Sequence, residues 1–295
     1  MLARRNLLCA LTVLVSAALI GGCGGGGTIG REIAMETPVE ITRDFQVGDV
    51  LNYRFKESTQ AGVKMTSFEQ TVSMQTEFRT TNTITDVGPD EVEFAMRFDY
   101  AAGSMASGDQ VIPNQDVNSL RGKELIVTLT PEGEVRSLTG LAGEAYLEEG
   151  TGQFKVMVDY LVPPLPDEAL TIGTTWSQEL DPPDISGLEQ EYIGETIYKV
   201  TAFRETYGVQ CVEVAFSTAF EYEGRFEQGD DVWLVSGVGT NEGTMLIAIE
   251  TGQLVHSRMD IEQDMTGEGS AVASAAASGE FSAGIQTRFE IELLY

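Results

Sequence analysis

Three kinds of residue in this chain could do chemistry: cysteines, a single histidine and a surplus of carboxylates. Cys211 would be the nucleophile of a thiol enzyme, and His256 is the one imidazole able to ionise it. Cys211 falls in the apolar run Gln210 to Tyr222, alternating with Val212, which reads as a packed thiol. His256 lies inside an expected strand, Leu254 to Met265, away from any motif. Carboxylates cluster at Asp181-Pro182-Pro183-Asp184 and Asp230-Asp231, but without the spacing of a calcium loop. No G-x-S-x-G, H-E-x-x-H, phosphate-binding loop or paired-cysteine metal motif is present. The expectation is a protein that is not an enzyme and holds no metal and no cofactor.

Cys23 is different, because of what precedes it. Arg4 and Arg5 lead into the apolar stretch Leu7 to Ile20, followed by Gly21 and Gly22: a charged region, a greasy core and a small-residue cleavage site. A membrane-spanning helix needs about 20 apolar residues, and this stretch is shorter. The ending Ile20-Gly21-Gly22-Cys23 resembles the lipobox of bacterial lipoproteins, in which the cysteine sulfur receives a diacylglyceryl group. That resemblance implies removal of residues 1–22, lipidation of Cys23 and a membrane anchor in the cell envelope, outside the cytoplasm. Gly24 to Gly27 begin a tether and linker running over 23–45.

Charge narrows the partners. Acidic residues number 46 and basic residues 18, a formal balance of -28 that becomes about -30 once Arg4 and Arg5 leave. Such a surface repels phosphate backbones and excludes nucleic acid.

The elements that must position any site are strands. Thr66, Phe68, Gln70, Val72, Met74, Thr76 and Phe78 alternate with Glu69, Thr71, Ser73, Gln75, Glu77 and Arg79, the pattern of a half-buried strand. Val92, Phe94, Met96, Phe98 and Tyr100 repeat it after the turn Asp86-Val87-Gly88-Pro89-Asp90, predicting an antiparallel hairpin. Further strands are expected at Glu124 to Leu129, Ile197 to Phe203, Val209 to Tyr222, Thr244 to Glu250, Leu254 to Met265 and Ile285 to Leu294. One segment has helical spacing: Phe154, Met157, Val158 and Leu161, stopped by Pro163-Pro164, with a second turn expected over Glu144 to Glu149. That helix would lie on the greasy face of the sheet, as core or as a lid.

The helix divides two halves that look alike. Val47-Gly48-Asp49-Val50-Leu51 resembles Ile172-Gly173-Thr174-Thr175-Trp176, and Asn82 to Val87 followed by Val92 to Tyr100 resembles Tyr198 to Ala202 followed by Val212 to Tyr222. Leu125 to Val135 matches Met245 to Leu254. The expectation is an internal duplication, with pseudo-repeats at about 46–138 and 171–265 around a helical insert at about 139–166, all within one domain spanning 46–295.

Pro166 with Ile172-Gly173 and Trp176, the stretch Gly122 to Val135 and the turn Thr251 to Val255 together resemble a family of uncharacterised bacterial lipoproteins. The resemblance covers most of the chain after Cys23 and rests on structural motifs. It implies a mainly β fold, a wide twisted antiparallel sheet in half-open barrel form, similar in outline to lipoproteins that carry acyl chains. From the residues, the inward side chains would be Phe68, Met74, Phe94, Met96, Phe98, Phe216, Phe220, Met245, Ile247, Met259 and Ile261. Two functions are expected as alternatives: an apolar ligand held in a groove lined by these residues, or an envelope scaffold whose acidic outer face or exposed strand edge meets another protein.

Overall fold

A computed structural model describes residues 29–35, 38–65, 68–140, 154–155, 157–166, 168–180, 188–228, 231–270 and 279–295. The signal segment with Cys23, the Glu144 to Glu149 stretch and the Asp181 to Asp184 cluster lie outside the described residues.

Alternation extends much further along the chain than the sequence pattern alone predicts. Eight strands run for 16 to 20 residues: β2 (Val50–Met65), β3 (Phe68–Val87), β4 (Val92–Ser107), β9 (Leu188–Thr206), β10 (Val209–Gln228), β11 (Asp231–Ala248), β12 (Leu254–Ser270) and β13 (Gly279–Leu294). At about 3.3 Å per residue they are about 50–65 Å long. Five short strands complete the sheet: β1 (Arg31–Ile33), β5 (Gln110–Pro113), β6 (Glu124–Leu129), β7 (Val135–Thr139) and β8 (Thr175–Glu179). All thirteen belong to one antiparallel sheet that does not close, ordered β1-β9-β10-β11-β12-β13-β2-β3-β4-β6-β7, with β5 added to β4 and β8 to β9. The outermost strands have three and five residues, and among the described residues β1 and β8 pair with β9 only at Phe203 to Glu205 and Glu195 to Lys199. A short helix α1 (Gln115–Ser119), capped by the Asn114 side chain, connects β5 to β6.

A similar glycine turn precedes β2 and β8. Gly48 and Gly173, at φ +94° and +96°, each make a turn whose glycine amide donates to a strand further on, to Ile84 O of β3 and Val200 O of β9, both at 2.9 Å. Leu125 to Val135 spans the β6–β7 hairpin, the fifth and sixth strands counted from β2, and Met245 to Leu254 spans the β11–β12 hairpin, the fourth and fifth counted from β8, the difference being the short β5. The halves meet at a seam where β13 pairs with β2, from Phe281 opposite Met65 to Leu294 opposite Asn52.

One face of the sheet is greasy and the other wet. Residues 154–155 and 157–161 are helical and lie on the greasy face. The Phe154 ring packs 5.5 Å from Phe98, and Tyr160 packs 6.1 Å from Phe289, so the segment crosses from β4 to β13. Asn241 Nδ2 donates to Tyr160 Oη at 3.4 Å, fixing its far end on β11.

Candidate functional site

The residues expected to line a groove divide by position along the strands. Phe94, Met96, Phe98, Phe216, Met245, Ile247 and Met259 join one buried cluster with Phe154, Met157, Val158 and Leu161 of the helical segment. There the greasy face is packed. The cavity beside Phe94 and Leu161 measures about 30 Å³, room for a water and not for an acyl chain. Phe220 belongs to a second cluster toward the other end of the strands, with Tyr192, Tyr222, Met265, Phe281 and Ile285, and Met74 lies half-buried against it. Ile261 is buried in the row between the two, Thr196, Thr218, Asn241, Ile261, Thr287 and Thr59. The side chain of Phe68 lies outside the described residues.

That intervening row is mostly polar. Thr196 and Thr218 share a hydrogen bond of 2.9 Å, as do Thr59 and Thr287. Next to Thr59, Glu57 is buried on the same face, and loss of solvent raises its carboxyl to about 7, offset in part by the Thr59 hydroxyl. Three aromatic rings of β10 form the adjoining floor. Phe216, Phe220 and Tyr222 lie across Gly243, Gly239 and Gly237 of β11, where an added Cβ would come within 2.4, 2.3 and 2.5 Å of them. Glycine is required at these three positions because the rings occupy the space of a side chain.

Cys211 and His256 do not form a couple. The buried Cys211 Sγ contacts Val209 O at 3.7 Å, and burial pushes its pKa up to about 12, so it is a thiol at neutral pH. His256 Nε2 turns to Glu290 Oε1 at 3.4 Å, and burial lowers its pKa. Among the described residues no group of three His, Cys, Asp or Glu could hold a metal ion.

The wet face carries the feature that the sequence pattern does not reveal. Registers place Ile193, Glu221, Val238, Asp264, Gly284, Gly62 and Thr71 side by side on seven successive strands, from β9 to β3. Gly284 and Gly62 add no side chain, so part of this row is bare backbone. A twisted sheet is saddle-shaped and hollow along one diagonal of each face. Here the row lines a hollow of about 1020 Å³, joined along the strands by another of about 940 Å³ that reaches Leu234, Glu223 and Glu268. Ile193, Val238 and Leu234 are 72%, 54% and 60% exposed.

Charge is distributed unevenly over this face. Toward the helix end, carboxylates have cationic partners: Glu292 with Arg54, Asp260 with Arg288, and Glu290 with Lys56 at 3.9 Å. In the hollow, Glu221, Glu262 and Asp264 have no ion pair among the described residues, and no basic side chain lines it. Apolar side chains at wet-face positions of acidic strands were the available sequence signal. Joining them into one site required the register.

No family model and no curated protein matches the sequence. Among solved structures, a lipovitellin structure concerned with lipid–protein interactions aligns over 85% of this chain at 10% identity and a TM-score of 0.48. The alignment covers 26% of the lipovitellin chain, so this protein spans about a quarter of that length. An outer membrane channel of Pseudomonas putida F1 aligns over 89% of this chain and 100% of its own, at 8% identity and a TM-score of 0.25. OccK5 (OpdH) of Pseudomonas aeruginosa aligns over 84% of this chain and 99% of its own, at 7% identity and a TM-score of 0.28.

Proposed function

We propose that this protein is a binding module of the bacterial envelope, anchored outside the cytoplasm through a lipid on Cys23, and that it works through the hollow wet face of its sheet. The observation that carries the reading is the row Ile193, Glu221, Val238, Asp264, in which apolar and acidic side chains alternate over four adjacent strands. Exposed aliphatic groups set among unpaired carboxylates are poor design for a purely solvated surface and good design for a contact. The helix end of the greasy face, by comparison, is occupied by the protein's own side chains. A photo-crosslinking residue at Ile193 or Val238, in cells making the full chain, should capture a partner that the same residue at Val111, exposed on β5, does not. Equal capture from all three positions would overturn the reading.

A second reading, carriage of an apolar ligand, draws support from Met65, Met74 and Trp233, which are only half-buried beside the second cluster on the greasy face. Native mass spectrometry of the purified full chain tests it. The reading expects a lipid adduct that Met74→Lys abolishes and Glu77→Lys, on the wet face, leaves in place. A wild type without adduct removes it.

A further inference from the structure

We infer that the occupant of the wet-face hollow is a basic polypeptide segment of another envelope protein, one carrying aliphatic side chains among its lysines and arginines. The inference rests on the proposal that the wet face is the working face and adds the chemistry of what it meets.

Three observations select this class. Glu221, Glu262 and Asp264 line the larger hollow with no basic side chain among them, so its field is of one sign and favours a cation. They are spread out: Glu221 and Asp264 share a row but stand two strands apart, about 10 Å. Among the described residues they are not gathered into a group that could hold a metal ion, whereas positive charges spaced along a chain can meet each of them. Finally, Ile193 and Val238 flank Glu221 in the same row, and Leu234 continues the stripe four residues along β11 into the second hollow. A small polyamine would leave these side chains in water. A segment with aliphatic groups between its charges would bury them, which favours association in proportion to the apolar surface removed from water. Anionic lipid headgroups and nucleic acid carry the wrong sign.

The second hollow contains both signs. Lys64 and Arg225 line it together with Glu191, Glu223, Glu268 and Glu280. The basic segment is therefore placed over the larger, purely acidic hollow, its aliphatic side chains running toward Leu234.

The test uses the full chain purified in non-ionic detergent and a fluorescein-labelled peptide of alternating lysine and leucine, with a glutamate–leucine peptide and spermine as comparisons. Binding is read by fluorescence anisotropy at fixed detergent concentration and two salt concentrations. The expected result is saturable binding of the lysine–leucine peptide only, weakened by salt. Glu221→Gln with Asp264→Asn should weaken it about tenfold, and Ile193→Ser with Val238→Ser by a similar factor. Asp90→Asn with Glu91→Gln, at the β3–β4 turn, should leave it unchanged. Binding that ignores the four hollow positions overturns the inference. So does binding that falls with the charge changes and not with the serine changes, since that describes an ionic surface without an aliphatic occupant. Far-ultraviolet circular dichroism confirms that each variant folds, and the single changes Glu221→Gln and Val238→Thr replace any pair that does not. The crosslinking described above reports on the working face in cells, and this titration on partner chemistry, so the two can fail separately.

Discussion

Thr201 bulges out of β9 and donates its hydroxyl to Oε1 of Glu213 at 2.8 Å. In the other half Thr85 bulges out of β3 and donates to Oε1 of Glu93, also at 2.8 Å. Each threonine is the extra residue of a β-bulge, and each carboxylate stands at the matching place on the next strand. The environments differ: Glu213 is buried and also holds Arg204, whereas Glu93 is half-buried. Thr201→Val should therefore cost about 1–2 kcal/mol and Thr85→Val less than about 1 kcal/mol, because only the first strips a partner from a buried carboxylate. Urea unfolding of the two variants measures the difference, and equal costs would show that burial of Glu213 does not matter.

Glu57 gives a pH dependence with a definite sign. Its carboxyl is raised in the folded protein to about 7, so its unfavourable contribution is absent below about pH 4.5 and grows as pH rises toward 7. Glu57→Gln should remove that slope and stabilise the protein at pH 8 by as much as about 3 kcal/mol. His256, whose pKa burial lowers, acts in the opposite direction and destabilises on acidification below its unfolded pKa. The quantity to measure is the difference in melting between wild type and Glu57→Gln at pH 5 and pH 8. A difference that does not change with pH would place Glu57 in water.

The rings of β10 need the glycines of β11. Gly239→Ala puts a methyl within 2.3 Å of Phe220 Cζ and should destabilise by about 2–3 kcal/mol. Phe220→Ala leaves space, so the double variant should lose less than the two single costs combined. Additive costs in a thermal or denaturant cycle would mean that ring and glycine do not touch.

The proposed anchor rests on one sulfur. Cys23→Ala should move the protein from the membrane fraction to the soluble fraction, because acyl chains on Cys23 would supply the hydrophobic anchor at about 0.8 kcal/mol per buried methylene. Fractionation after detergent-free lysis is the check; an unprocessed variant is recognised by its mass, and a processed one that stays in the pellet counts against the anchor.

Much of the sheet was legible in the sequence, and the reasons differ by strand. The alternation of Val72, Met74, Thr76 and Phe78 announced β3 because every second side chain meets the same greasy face. The first half of β11 was not foreseen. Gly237, Gly239 and Gly243 weaken its strand pattern, and they are compatible with a strand only because aromatic rings from β10 cover them. The start of β9 was missed as well, because Ile193 and Ile197 are exposed and blur the alternation. Ile193 belongs to the wet-face site. A site formed along a sheet row is invisible until the register is known, since its members, such as Ile193 and Asp264, are far apart in sequence and share no motif.

The seam between β13 and β2 also governs how the chain can be put together. Of the long strands β2 emerges first and β13 last, yet they are neighbours, so the edge of β2 from Asn52 to Met65 stays unpaired until the rest of the sheet has been delivered. Contacts of such sequence separation form late and slowly. For the time needed to finish and deliver the chain, the first half is a sheet with one long open side, the form in which β proteins stick to one another. Only the arrival of β13 closes that side.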